Sequence, residues 1–199
     1  MEKEIIFSVI SSLIYIIWIF PYWRDVLRKR TIPHPFSSLV WLILVWFNSY
    51  VLFIGHEYLA FIPGFISCLF LLLGTIYGIY LFRKIQINWF DYFCLIFSIL
   101  FLIYYFLFRD ITNAVILSAL IDFLAFLPTF KKGWLQPWTE TILLYFFASI
   151  SNVFALLALI GTSFQTTLFW AYLVIANLAF FFMVSLRRWY LKWWESVFE

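Results

Sequence analysis

Asp122 is the one carboxylate well inside a long apolar run, Ile111–Phe130. A carboxylate cut off from water costs several kcal/mol when charged, and burial raises its proton affinity. Asp122 is therefore expected either to couple protons or to serve as a neutral or paired structural group bonded to Tyr15 or Ser118. Amides recur in other apolar runs at Asn48, Asn152 and Asn177. An amide both donates and accepts, so these residues can hold a polar solute or link neighbouring helices.

Aromatic residues accompany them. Ser37, Trp41 and Asn48 share a helical face, and Thr141, Tyr145 and Asn152 repeat that spacing. Ser8, Ser11, Ser12 and Tyr15 form a comparable face in the first run. Trp41 and Tyr145 can stack on a solute ring or simply pack, and Tyr15 is a further candidate contact. Pro21 and Pro128 each remove a helix hydrogen bond near the end of a run, either as hinges or as static kinks. Gly64, Ser67, Gly74 and Gly78 form a small-residue stripe suited to close helix contact.

The elements that must position these groups are set by an unusual composition. Of 199 residues, 66% are hydrophobic and only 12% are charged. Soluble domains carry about 25% charged residues, so lipid is the expected solvent. Seven apolar segments follow: Ile5–Trp23, Phe36–Ile54, Tyr58–Phe82, Trp89–Phe108, Ile111–Phe130, Thr141–Ile160 and Phe164–Leu186. Each is near or above the ~20 residues that span hydrocarbon. The start Met-Glu-Lys-Glu lacks a basic signal region, so the first run is expected to remain as a span.

Loop charge orients the seven spans. Lys3 and Arg109 fall on one face, while Arg24, Arg28, Lys29, Arg30, Arg83, Lys84, Lys131, Lys132, Arg187, Arg188 and Lys192 fall on the other. The positive-inside rule places the N-terminus outside and the C-terminus in the cytoplasm of a cell (inner) membrane. Trp89, Trp134, Trp138, Trp189, Trp193 and Trp194 lie near run ends, as interfacial aromatics do. Residues 189–199 read as a cytoplasmic amphipathic tail.

The chain also repeats. Phe20-Pro21-Tyr22-Trp23-Arg24 matches Leu127-Pro128-Thr129-Phe130-Lys131, 107 positions later. After a shortened loop Pro33 meets Pro137, Ser37 meets Thr141, Trp41 meets Tyr145, and Asn48 meets Asn152. The expected architecture is all-α and membrane-integral, in a 3+1+3 arrangement. Residues 1–84 form the first triple-helix repeat, 85–109 a linker helix and 110–188 the second repeat. The linker restores direction, so the repeats run parallel and Asn48 and Asn152 are related by a pseudo-two-fold.

With these residues in view, the chain resembles the SWEET sugar transporters and the wider PQ-loop family. The likeness rests on Phe20 to Thr31, then Pro33-His34 and Ser37, and on Leu127-Pro128-Thr129 through Pro137. Tyr22 and Thr129 stand where that family has glutamine. SWEET pockets carry asparagines on spans three and seven; Asn177 fits span seven, whereas span three offers Gly74 and Thr75. The resemblance implies alternating access around a central site near the midplane.

Other classes find no support in the sequence. Cys68 and Cys94 read as buried hydrophobes, and His34 and His56 fall in opposite loops, so no metal site or cofactor is expected. No nucleophile is paired with a base, no phosphate-cradling loop occurs, and the seventh span has no lysine for a retinal Schiff base. The expected reading is a non-enzymatic carrier of a small polar solute, a sugar or other metabolite, with proton coupling through Asp122. Its partners are the solute and the lipid bilayer, with room for a homo-oligomer and no role for nucleic acid. A non-transporting membrane receptor or assembly factor is the alternative, since fold does not fix function.

Overall fold

The computed structural model describes residues 2–54, 58–81, 84–85, 87–108, 111–158 and 164–198. Within them, the side chains of 2, 4, 47–49, 51–52, 54, 58–64, 66, 105–106, 108, 111–115, 164–166 and 197–198 lie outside the description. The described residues form seven α-helices and no strand: α1 (Glu2–Leu27), α2 (Pro35–Ile54), α3 (Tyr58–Tyr80), α4 (Trp89–Phe108), α5 (Ile111–Leu135), α6 (Ile142–Ala158) and α7 (Phe164–Phe198). Each falls on one of the seven apolar segments. A short 3₁₀ turn, Pro137–Thr139, leads into α6.

Local chemistry sets the helix ends. α1 closes with a Schellman motif in which Arg30 N donates to Asp25 O at 2.9 Å and Lys29 N to Val26 O at 2.9 Å. Lys29 takes the left-handed conformation, φ 57°, that this cap requires and that glycine usually fills. At the head of α4, Asn88 accepts from Phe90 N at 3.1 Å, and Asp91 reaches back to Asn88 N at 2.8 Å. This is the reciprocal logic of a capping box. Pro21 and Pro128 lie inside α1 and α5, and both helices continue beyond them. Residues 189–198 continue α7 without a break.

Contacts divide the chain into two compact units. The first is Met1–Thr31 with Phe130–Glu199, and the second is Ile32–Thr129. In the first, α6 packs against both α1 and α7. Trp18 stacks on Phe147 with centroids 3.7 Å apart, and Ser11 and Ser151 each donate to the other's carbonyl at 2.8 Å. Ser149 donates to Val174 O at 3.0 Å, tying α6 to α7. In the second, α2 lies along α3. Val40 and Leu44 of α2 share a buried cluster with Leu102 of α4 and Ile121 and Ala125 of α5. Thr129 donates to Ser37 at 2.9 Å.

Residues 1–84 and 110–188 therefore each contribute helices to both units. The 107-residue relation carries α1 onto α5, and the 104-residue relation carries α2 onto α6. α1 packs along α6 in one unit, and in the other α5 meets α2 through Thr129–Ser37 and Trp41–Phe126.

Large apolar side chains are exposed as well as buried. Every helix exposes large apolar side chains, among them Leu13, Phe53, Leu72, Ile103, Leu120, Leu143 and Phe182. Ser37, Asp91, Ser98 and Ser149 are fully buried. Among the described residues, two segments, Ile5–Leu27 and Thr167–Ser196, are long and apolar enough to cross a membrane; shorter apolar helices occupy Pro35–Trp46, Ser67–Tyr80, Trp89–Tyr104 and Ile142–Ala158.

Candidate functional site

In the first unit, buried polar groups converge where α1 ends, α5 ends, α6 begins and α7 passes. α5 closes at Leu135, and Gln136 N donates back to Lys132 O at 2.7 Å. Pro137 opens the 3₁₀ turn, where its fixed φ suits a first helical position. Thr139 donates through its side chain to Gln136 O at 2.8 Å. The turn folds Glu140 back onto Lys132 of the preceding helix, with Nζ and Oε1 2.7 Å apart. Lys132 is only 4% exposed and Glu140 only 5%.

Each converging element supplies a partner. Tyr145 of α6 donates its hydroxyl to Glu140 Oε2 at 3.4 Å, and its ring lies 4.2 Å from that of Phe180. Arg188 of α7 donates to Pro137 O from Nε at 3.0 Å and from Nη2 at 2.7 Å, and its Nη2 also donates to Glu140 O. Tyr22 of α1 is within electrostatic reach of Glu140. Asp25 of α1 accepts from Thr141 at 3.2 Å, and Thr141 also bonds Thr31. Burial pushes the Glu140 carboxyl above the ordinary glutamate range; Lys132, Tyr145 and Arg188 pull it down without reversing the direction.

The second unit holds a different pair. His34, between Pro33 and Pro35, lies 4.0 Å from Asp91, and both are buried. The loop is pinned from α3, where a Cβ on Gly78 would stand 2.9 Å from Pro33 O and 3.1 Å from Pro35 Cα. Only glycine permits this approach.

The sequence-selected residues divide between the units. Tyr15, Pro21, Tyr145, Asn152 and Asn177 belong to the first; Trp41, Asn48, Asp122 and Pro128 belong to the second. Tyr145 is buried and engaged with Glu140, and Asn177 donates to Leu173 O of its own helix at 2.8 Å. Asn152 and Tyr15 are half-buried. Trp41 meets Phe126 edge-on at 5.3 Å, and its buried indole N–H makes no hydrogen bond. Asp122 is buried at 8% exposure, and Pro128 is fully buried. The side chain of Asn48 and the whole of His56 lie outside the described residues.

Glu140, Lys132 and the His34–Asp91 pair were not singled out as site residues from the sequence. One signal was present: Glu140 is the sole acid in the basic stretch from Lys131 to Thr141. Comparison of the chain with known protein families, characterised proteins and solved structures finds no match.

Proposed function

We propose that this chain is a multi-pass membrane carrier that moves a small polar solute by alternating access. Its seven helices are read as seven spans in a 3+1+3 arrangement, with the N-terminus outside and the C-terminus in the cytoplasm. The observation that carries the membrane reading is the exposure of large apolar side chains on every helix, with several serines and carboxylates buried. In water such a surface drives aggregation, whereas in lipid it is the solvated face. α2, α3 and α4 have 20, 23 and 20 helical residues, enough at 1.5 Å per residue for the ~30 Å hydrocarbon core.

The carrier reading rests on the matched pairings α1–α6 and α5–α2, which are what a parallel repeat provides. The N–H of Trp41 adds a polar observation. A buried donor without an acceptor costs about 1–3 kcal/mol, and a solute hydroxyl or carbonyl would satisfy it. Asn48, Asn152, Asn177 and Tyr15 are the further candidate contacts, Asp122 the proton-coupling carboxylate, and Pro21 and Pro128 the hinges.

A non-transporting receptor or assembly factor is the second reading, favoured by Tyr145 and Asn177, which use polar groups within the protein. The deciding experiment has two stages. A thermal-shift screen of purified protein against sugars, amino acids, vitamins and nucleosides should find a solute that raises the melting temperature. Uptake of that solute into proteoliposomes should respond to an imposed pH gradient, and Asp122→Asn should abolish the response. Binding without uptake would favour the receptor reading, and an unchanged pH response in Asp122→Asn would remove the coupling role.

A further inference from the structure

We propose that the far end of α7, with the α5–α6 turn beside it, binds the headgroup phosphate of an anionic phospholipid on a shelf of cations set against aromatic rings. The shelf rests on the membrane reading of the chain and on nothing about its solute.

Arg187, Arg188 and Lys192 lie within two turns of α7, and each packs on an aromatic ring. The Arg187 guanidinium stands 4.8 Å from the Trp134 ring centroid and 5.7 Å from that of Tyr190. Arg188 and Lys192 stand 5.0 and 5.4 Å from the Trp138 centroid. A cation over an aromatic face is held by the ring quadrupole and keeps its full charge.

The three differ in the donors they have left. Arg188 commits Nε and Nη2 to the carbonyls of Pro137 and Glu140, which ties α7 to the turn. Arg187 donates Nε to Trp134 O at 3.3 Å, which orients its guanidinium; among the described residues its two terminal nitrogens make no hydrogen bond. Lys192 is exposed, and among the described residues no carboxylate pairs with it or with Arg187. Glu140 is taken by Lys132, and Asp25 by Thr141 and Arg24. Positive charge on the shelf is therefore left for an external anion.

Two observations point to a lipid surface as the source of that anion. The first is an aromatic face. Trp189, Tyr190, Trp193 and Trp194 recur at i, i+1, i+4 and i+5, and they are from 43% to 67% exposed. Indoles and phenols settle at the boundary between hydrocarbon and headgroups. The second is depth. Arg187 lies about 35 Å along α7 from Phe164 at 1.5 Å per residue. With Phe164 at one edge of a ~30 Å hydrocarbon core, Arg187 stands past the other edge, within the ~40–45 Å that includes headgroups. Phosphates occupy that layer, and the guanidinium fork matches their oxygens. On the proposed topology the shelf faces the cytoplasmic leaflet, which carries anionic lipid.

The test titrates the full chain, purified in detergent, with dioctanoyl phosphatidylglycerol, dioctanoyl phosphatidylcholine and inorganic phosphate, reading affinity from the rise in melting temperature. Phosphatidylglycerol should bind more tightly than either of the others. Arg187→Gln combined with Lys192→Gln should weaken it about 30-fold. Arg28→Gln combined with Arg30→Gln removes the same charge from the exposed end of α1 and should leave it nearly unchanged. Equal losses from the two pairs would overturn the shelf in favour of diffuse attraction. Equal affinity for the two lipids would overturn it outright, and tighter binding of inorganic phosphate would assign the cations to a free anion. Should the double variant fail to fold, Lys192→Gln alone should weaken binding about fivefold, and an unchanged affinity would overturn the proposal. A chain that stayed dispersed without detergent and bound neither lipid would overturn the membrane reading itself.

Discussion

The 104-residue sequence match pairs Pro33 with Pro137, and a buried ionisable pair lies beside each, built from different chemistry. In the first unit Lys132 and Glu140 meet at 2.7 Å across a single turn. In the second His34 and Asp91 stand 4.0 Å apart, drawn from distant parts of the chain. The backbone of His34 is held by Gly78 and two prolines, while Asp91 caps α4. The His34–Asp91 pair thus belongs to the fixed framework of its unit, and the Lys132–Glu140 pair belongs to a turn held by its own backbone hydrogen bonds and by side chains from α6 and α7.

The largest expected effect breaks the first pair. Lys132→Met leaves Glu140 enclosed without its ammonium, a loss of about 3–5 kcal/mol for a buried pair cut on one side. Glu140 can escape by taking a proton, so thermal unfolding should show the deficit in full at alkaline pH and a smaller one in acid. Asp91→Ala should cost less, about 0.5–2 kcal/mol, as expected for a lost helix cap. Hydrogen exchange should report it as faster opening confined to the first turn of α4. Ser11→Ala should cost least, about 0.6 kcal/mol, the average for an interhelical hydrogen bond in a membrane. Chemical unfolding should show it as a small drop with no change in pH dependence. Equal losses from Lys132→Met and Asp91→Ala would erase the proposed difference between braced turn and framework.

Much of the architecture was legible because apolar run length and charged breaks are local properties. Trp89–Phe108 was read with both ends in place, and α2 was displaced by one residue at its start. α1, α5 and α7 run past their apolar segments because a helix ends where its backbone is capped, not where hydrophobicity stops. In α1 that point is the Lys29 cap. The serine face of the first span was legible from spacing, and Ser11 does meet α6.

The site was harder to read. Lys131 and Lys132 are adjacent and chemically identical, yet only Lys132 is buried. Its burial depends on a turn that returns Glu140 to it, which no periodicity encodes. Trp41 and Tyr145 are paired by the 104-residue sequence match, but their neighbours, Phe126 and Phe180, lie on α5 and α7, which that match does not equate.

The unbroken run of α7 has a geometric corollary. Thirty-five helical residues extend about 52 Å at 1.5 Å per residue, well beyond a ~30 Å hydrocarbon layer. In a layer of that thickness the segment bearing Trp189, Trp193 and Trp194 would extend outside as part of the same uninterrupted helix.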